Sequence, residues 1–324
     1  RMAGNLEKSE RVNNHKSDIG TSAFDLQKDE TEKVNKEVKD KDATDDNSNS
    51  SQTATDMNQK LYCVISLCNW DRNPNNAARL AQEGGVRAII QLVTEQDTRI
   101  LKYSSAAFRF MSEIPALASV MIDDGAVSVI SDVVKVPIDE FASTNLAVAL
   151  VNLTRINGKE AYLVESSIVL ALQNIMANRP ELSALCARGL YNLTCVDGMY
   201  PLMERLIRTI ISISSSSVSS VRHICVAALC NLSDLKLMRA RLVEEGTISV
   251  LGSVARHAPT RTRRVCAVIM QNLSATKNCR VEMVLRSSVH VAHSLSSDKD
   301  PIILRCVGLT LARLSTEGAN SVRI

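Results

Sequence analysis

Apolar residues recur every three or four positions from about residue 60 to the end of the chain, whereas residues 1–59 hold few of them. The segments 86–93 and 126–134 place their apolar side chains on one side of a helix with about 3.6 residues per turn. Prolines that suit helix starts follow short breaks in this pattern, at Pro137, Pro180, Pro259 and Pro301. The pattern predicts an all-α structure from about residue 60 onward.

A four-residue signature recurs in this part of the chain, with Asn at its third position and apolar residues at its first and fourth. The third position holds, in order, Asn69, Glu113, Asn152, Asn192, Asn231, Asn272 and Arg313. Subtraction gives spacings of 44, 39, 40, 39, 41 and 41 residues. Each period reads as a short helix, a second helix and a longer third helix that ends in the signature. Three helices in about 40 residues match the period of armadillo and HEAT repeats.

Two stretches resemble armadillo repeats more specifically. Residues 246–251 followed by 264–274 are similar to the second and third helices of such a repeat, and residues 83–93 show the same resemblance. The resemblance extends from about Lys60 to the C-terminus, about four-fifths of the chain. It implies a right-handed α-α superhelix, an armadillo-type solenoid of six to seven three-helix repeats.

The composition divides the chain into two regions. Residues 1–59 hold 9 basic and 13 acidic residues and few apolar ones, so we expect a disordered, acidic, low-complexity tail. Residues 60–324 form the predicted armadillo repeat domain. The last residues, 321–324, fall in the middle of a predicted element, so the sequence is expected to be a fragment of a longer protein.

In armadillo proteins the third helices line a groove, and the signature Asn holds the backbone of an extended peptide, because an amide offers both a donor and an acceptor. The resemblance assigns this role to Asn69, Asn152, Asn192, Asn231 and Asn272. It fails at Glu113 and Arg313. An alternative stays open, in which these Asn side chains only satisfy backbone groups within the stack.

The residues near the signature indicate which kind of ligand to expect. Importin-alpha-like proteins carry Trp four residues before the Asn, whereas this chain has Ile65, Arg109, Val148, Arg188, Ala227, Val268 and Leu309. The position eight before it holds Ser105, Thr144, Ala184, His223, Arg264 and Arg305, and Arg261 lies eleven before Asn272. The cationic candidates for groove contacts are therefore His223, Arg261, Arg264, Arg305 and Arg313.

The net charge of +3 is unevenly distributed. Residues 60–199 hold 12 basic and 14 acidic residues, while residues 200–324 hold 17 and 8. A basic groove attracts an acidic extended ligand, as the resemblance to beta-catenin-like armadillo proteins implies. The alternative is a solvated basic face without a specific ligand.

The sequence therefore predicts a non-catalytic scaffold that binds an extended or helical, acidic segment of a protein partner, with loss of binding on Arg264→Glu. Nucleic-acid or polyanion binding through the basic repeats is the alternative, disfavoured because aromatic residues make up only 3% of the chain. A third hypothesis places the acidic tail in the groove as an autoinhibitor, so that deletion of residues 1–59 raises affinity.

No enzyme, cofactor or metal site is predicted, because no catalytic or phosphate-binding motif occurs and His290 and His293 lack a third ligand nearby. The cysteines Cys63, Cys186, Cys225 and Cys266 each lie six residues before a signature Asn and are expected to be small buried residues. An odd total of nine cysteines, without a visible signal peptide or membrane span, favours an intracellular protein, cytoplasmic or nuclear.

Overall fold

Helices with short connections account for the described part of the chain. The computed structural model describes residues 48–71, 74–95, 97–195 and 203–320, in which there are 18 α-helices and no β-strand. The all-α prediction is thereby confirmed for these residues. The chain divides into two units between Lys60 and Leu61, and the helical repeats belong to the second unit.

The helices recur in groups, each ending in a third helix that is longer than the others or, in one group, as long as the second. α1 (Ser48–Asp71) is a long helix that precedes the first complete group. Three groups follow it in order: α2 (Ala77–Gln82), α3 (Gly85–Leu92) and α4 (Thr98–Glu113); α5 (Pro115–Asp123), α6 (Ala126–Val133) and α7 (Glu140–Leu153); α8 (Glu160–Glu165), α9 (Ile168–Asn178) and α10 (Ser183–Leu193).

The helices of the second half of the chain form groups in the same way. Its helices are α11 (Met203–Ile213) and α12 (Ser219–Asp234); α13 (Arg239–Glu244), α14 (Thr247–Ala255) and α15 (Thr260–Ser274); α16 (Arg280–Leu285), α17 (Ser288–Ser296) and α18 (Pro301–Ser315). The first helix of the fourth group would fall at 196–202, outside the described residues. Five of the six groups are three-helix repeats in the described residues, as the sequence predicts.

Neighbouring repeats bury a continuous apolar core. Each third helix packs against the next, α4 on α7, α7 on α10, α10 on α12, α12 on α15 and α15 on α18. Small residues allow this close approach, and in α7 Ala142, Ala147 and Ala149 are fully buried beside Leu146 and Leu150. Because a single repeat cannot bury its own apolar faces, the stack is what stabilises each of them.

A left-handed backbone residue turns the chain from the first helix into the second in several repeats. Gly84, Gly125 and Gly246 occupy this corner with φ of 78°, 85° and 100°. In the last repeat Ser287 takes the same corner with φ 65°, and it is the one residue other than glycine with a positive φ among the described residues. Glycine at this corner therefore avoids the strain that the left-handed conformation imposes on a residue with a Cβ.

The expected tail is not disordered throughout. α1 begins at Ser48, so the described residues 48–59 of the predicted tail are helical. No Gly or Pro occurs in this stretch. A helix nucleated by the apolar part of α1 extends cheaply toward its N-terminus, because each added residue adds a hydrogen bond. The rest of the predicted tail, 1–47, lies outside the described residues, as do the final residues 321–324.

Within the described ranges no single helix is long and apolar enough to cross a bilayer. The helices α4 and α5 reach the necessary length and hydropathy only together, and they meet at a bend of 119°.

Candidate binding face on the third helices

The signature Asn residues are joined across the stack by a repeating hydrogen bond. In each case Asn Nδ2 donates to a Ser or Thr hydroxyl on the preceding third helix. The distances are 3.0 Å for Asn152 to Ser112, 3.0 Å for Asn192 to Thr154, 3.1 Å for Asn231 to Thr194 and 3.0 Å for Asn272 to Ser233. These bonds lie within the stack, as in the alternative left open by the sequence, but their acceptors are side-chain hydroxyls and not the backbone groups that it named.

The hydroxyl fixes the orientation of each amide. Its single proton is donated to the backbone carbonyl three residues earlier, over 2.6 Å from Thr154 to Val151 and 2.7 Å from Thr194 to Tyr191. The hydroxyl oxygen can then only accept, so the Asn must present its N–H₂ group. As a result Oδ1 of Asn152, Asn192, Asn231 and Asn272 has no hydrogen bond within the described residues.

The hydroxyl also sets the register of the repeats. It lies two residues after the Asn in Asn152–Thr154, Asn192–Thr194 and Asn231–Ser233. In the first repeat the hydroxyl belongs to Ser112, so the equivalent of Asn is Phe110, and the assignment of Glu113 is wrong by three residues. Ser105, predicted eight before the signature, is fully buried and cannot line a groove. The Ser or Thr two residues after each of these Asn residues marks the register of the repeats, and the signature of apolar residues and Asn does not include it.

We call this row of side chains the ladder row: Phe110, Asn152, Asn192, Asn231, Asn272 and Arg313. Residues four, seven, eight and eleven positions before each of them lie on the same side of an α-helix. These residues and the ladder row together form the third-helix face. Arg313 keeps the register, since Ser315 follows it by two residues and bonds the Ala312 carbonyl, and its Nη1 donates to the Gln271 carbonyl over 2.8 Å.

Asn69 differs from the other predicted Asn residues. It lies in α1 and is exposed. No hydrogen bond of its side chain occurs within the described residues, so it shares the helix type and the exposure of the ladder row without the bridging contact.

The predicted cations of the third-helix face are brought together on α12, α15 and α18, but three of them, His223, Arg264 and Arg313, already bind protein atoms. Arg264 Nη2 lies 2.5 Å from Asp300 Oδ2, and this hydrogen bond, with those from the Ile302 and Ile303 amides, lowers the pKa of Asp300. His223 Nδ1 is 2.9 Å from Thr262 Oγ1. Arg261 and Arg305 are exposed on α15 and α18.

Several other arginines of the basic half hold the stack together. Arg239 Nε donates to the Ser233 carbonyl over 2.8 Å, and Arg280 Nε donates to the Ser274 carbonyl over 2.9 Å, so each caps the end of a third helix. Arg263 bonds Asp298 over 2.9 Å and the Ala255 carbonyl over 2.7 Å. Much of the positive charge counted in the sequence is therefore neutralised or directed into the structure.

A second polar and aromatic cluster lies between α4 and α7, where sequence reasoning placed no site residue. Lys102 Nζ lies 5.8 Å from the centre of the Phe141 ring. Arg109 Nη1 lies 3.5 Å from Asn145 Oδ1, and Arg109 Nε lies 3.7 Å from Glu113. With the corrected register, Lys102 is eight residues before Phe110, and Phe141 is eleven before Asn152, so both belong to the third-helix face.

The predicted cysteine positions divide into two kinds. Cys186, Cys225 and Cys266 are buried, and burial raises the pKa of each thiol to about 12. Cys63 is exposed instead, contrary to the prediction. His290 and His293 are exposed on α17, and among the described residues no group of His, Cys, Asp or Glu is placed to hold a metal ion.

The chain is similar to several solved structures. It shares 18% identity with one engineered protein, over 72% of this chain and 97% of that one, with a TM-score of 0.56. A second engineered protein gives 13% identity, 72% and 99% coverage and a TM-score of 0.55. A computationally designed armadillo repeat protein for modular peptide recognition gives 13% identity, 79% and 98% coverage and a TM-score of 0.41.

No protein-family model and no curated protein matches the sequence. At these identities the likeness to solved structures concerns the fold alone, which is an all-α stack of helices in the described residues.

Proposed function

We propose that this protein is a non-catalytic scaffold that binds an extended, acidic segment of a partner protein along the third-helix face. The observation that carries the proposal is the row of four oriented amides, Asn152, Asn192, Asn231 and Asn272. Each has an acceptor oxygen without a partner in the described part of the chain, and each is held in place by the preceding repeat.

The amide row suits a main chain rather than a single side chain. A peptide in an extended conformation exposes backbone N–H groups at regular intervals, and each can donate to one Oδ1. The amides are oriented before the ligand arrives, so less side-chain freedom is lost on binding.

The charges near the C-terminal end of the row favour acidic residues in the ligand. Arg261 and Arg305 are exposed on neighbouring third helices, and Arg264 between them shares its charge with Asp300. A cationic end of this kind supports the beta-catenin-like interpretation over the importin-alpha-like one. We also propose an intracellular location, cytoplasmic or nuclear, on the strength of the odd number of cysteines.

The test uses the full chain and a random 16-residue peptide library displayed on phage, followed by affinity measurements on the selected peptides. We expect enrichment in Asp and Glu and a Kd that rises with salt. Arg305→Glu should weaken binding at least about tenfold, since it replaces attraction by repulsion. Arg256→Glu is the matched control, because Arg256 is also exposed but follows α14, away from the third-helix face.

The charge reversal is made at Arg305 and not at Arg264. Substitution of Arg264 would break its bond to Asp300, which also caps the start of α18, and would confound binding with folding. Selected peptides without acidic residues, or equal effects of the two charge reversals, would refute the groove assignment. Selection of no peptide, together with tight binding of single-stranded DNA, would favour the polyanion alternative.

A further inference from the structure

Asn145 is the polar exception in a row of the third-helix face. The residues seven positions before the ladder row are Tyr103, Asn145, Leu185, Ile224, Val265 and Cys306. Asn145 is only 3% exposed, so its amide is buried where other repeats place an apolar or aromatic side chain. A buried polar group at such a position requires an explanation, because most such groups are fully hydrogen-bonded.

The hydrogen bonding of Asn145 is incomplete. Its Oδ1 accepts a long contact from Arg109 Nη1 at 3.5 Å, while its Nδ2 has no partner in the described chain. Arg109 Nε is also without a hydrogen bond, since Glu113 is 3.7 Å away. Among the described residues, Asn145 is the one amide side chain with a buried N–H₂ group that lacks a hydrogen bond. Two donors thus meet at the seam between α4 and α7 without an acceptor.

Two cationic side chains lie at this seam. Lys102 and Arg109 belong to α4, and the Glu113 carboxylate, whose side chain is 52% exposed, lies 3.7 Å from Arg109 Nε. The Phe141 ring supports the Lys102 ammonium from α7, and Phe110 takes the ladder position at this place. An anion with two acceptor oxygens matches this arrangement, since Arg and amide N–H groups are the usual partners of a carboxylate.

We propose that the α4–α7 seam is a binding position for the carboxylate of one Asp or Glu side chain of the bound segment. Asn145 Nδ2 and Arg109 donate to its oxygens. Arg109, whose side chain is 26% exposed, turns outward to admit it. The inference rests on the proposed function and adds a second acidic contact, at the opposite end of the row from Arg305.

Two variants separate a ligand contact from a structural one. Asn145→Val places at this position the residue found at 265, removes the unsatisfied donor and should raise Tm by a few degrees. Asn145→Asp keeps the size and gives Arg109 a charged partner, so folding should be retained. Both variants should lower the affinity for the selected acidic peptide at least about tenfold. Asn145→Val does so by loss of the donor, and Asn145→Asp by charge repulsion. Ile224→Val, in the same row, is the control and should bind as the wild type does.

The pairing can be assigned by replacing each acidic residue of the peptide singly with its amide. One replacement should cost affinity with the wild-type protein and little with Asn145→Asp, which identifies the residue that meets Asn145. Wild-type affinity of both Asn145 variants would overturn the proposal. That result, with Arg305→Glu still weakening binding, would leave the proposed function intact. If wild-type protein selects no acidic peptide, the proposed function fails, and this inference with it.

Discussion

The hydroxyl between two amides determines what each Asn of the ladder row can offer to a ligand. Thr154 illustrates this, since its proton goes to the Val151 carbonyl and its oxygen accepts from Asn192. Linked hydrogen bonds polarise one another and hold the amide in one orientation. In the proposed complex, the Asn192 acceptor is therefore held in its orientation by Thr154, a residue of the preceding repeat.

Thr154→Val should lower the free energy of unfolding by about 1–2 kcal/mol, because the variant keeps the shape but leaves Asn192 without its buried acceptor. It should also weaken peptide binding, since the Asn192 amide loses its fixed orientation. Urea unfolding followed by circular dichroism measures the first effect. Thr94→Val is the matched control, because Thr94 donates to the Gln91 carbonyl in the same way but is exposed and supports no Asn. Equal losses in the two variants would contradict the role given to the relay.

At the scale of the element, the corner between the first and second helices takes the left-handed conformation in four of the described repeats. Three of these place glycine there, whereas the last places Ser287 there, at φ 65° and ψ 30°. A residue with a Cβ is strained in the left-handed region by about 1–2 kcal/mol. The third repeat avoids the problem, because Ser167 at the same corner has φ −76°.

Ser287→Gly should raise the free energy of unfolding by about 0.5–1 kcal/mol, the relief of strain less the greater freedom of glycine in the unfolded chain. Ser167→Gly should lower it or leave it unchanged, since no strain is present there to relieve. Thermal unfolding of the two variants under one set of conditions decides the matter. A stabilisation by Ser167→Gly as large as that by Ser287→Gly would show that the corner geometry is not the cause.

The element scale also shows what the sequence could and could not supply. Periodicity predicts the helices and their grouping because each repeat buries the same stripe, and the four Asn residues of the ladder row follow from the recurring signature. The register of the first repeat does not, because Phe110 shares no chemistry with Asn and only Ser112 marks its place. The pairing of Arg264 with Asp300 is equally hidden, since the partner lies 36 residues away on another helix.

At the scale of the whole molecule, thiols are kept neutral in one repeat after another. Cys186 lies in α10, Cys225 and Cys230 in α12 and Cys266 in α15, and burial raises the pKa of each to about 12. In the unfolded chain these thiols ionise near their ordinary pKa of about 9. Between pH 9 and 12 the unfolded state therefore binds fewer protons than the folded one, and stability must fall as pH rises.

We expect the stability contributed by these thiols to be fully present below pH 9 and to be lost above it, by about 1.4 kcal/mol per pH unit for each thiol. Urea unfolding at pH 7, 9, 10 and 11 measures the fall. A variant with Cys186→Ala, Cys225→Ala and Cys266→Ala should show a flatter decline, because alanine fits a small buried position and does not ionise. An identical decline in the variant would assign the alkaline loss to other groups.

Phe110 and Arg313 occupy the two ends of the ladder row, so the run of consecutive amides is limited to four. Four consecutive amides span three inter-helix steps of about 8–10 Å each, and an extended chain advances about 3.3–3.6 Å per residue. One step then corresponds to two or three ligand residues, and the uninterrupted amides measure off a stretch of about seven to nine. A longer segment must change its mode of contact at both ends, to an aromatic ring at one and a guanidinium at the other. In the proposed complex, the ladder row therefore limits both the length of the segment that the amides bind and the chemical groups that the segment meets beyond them.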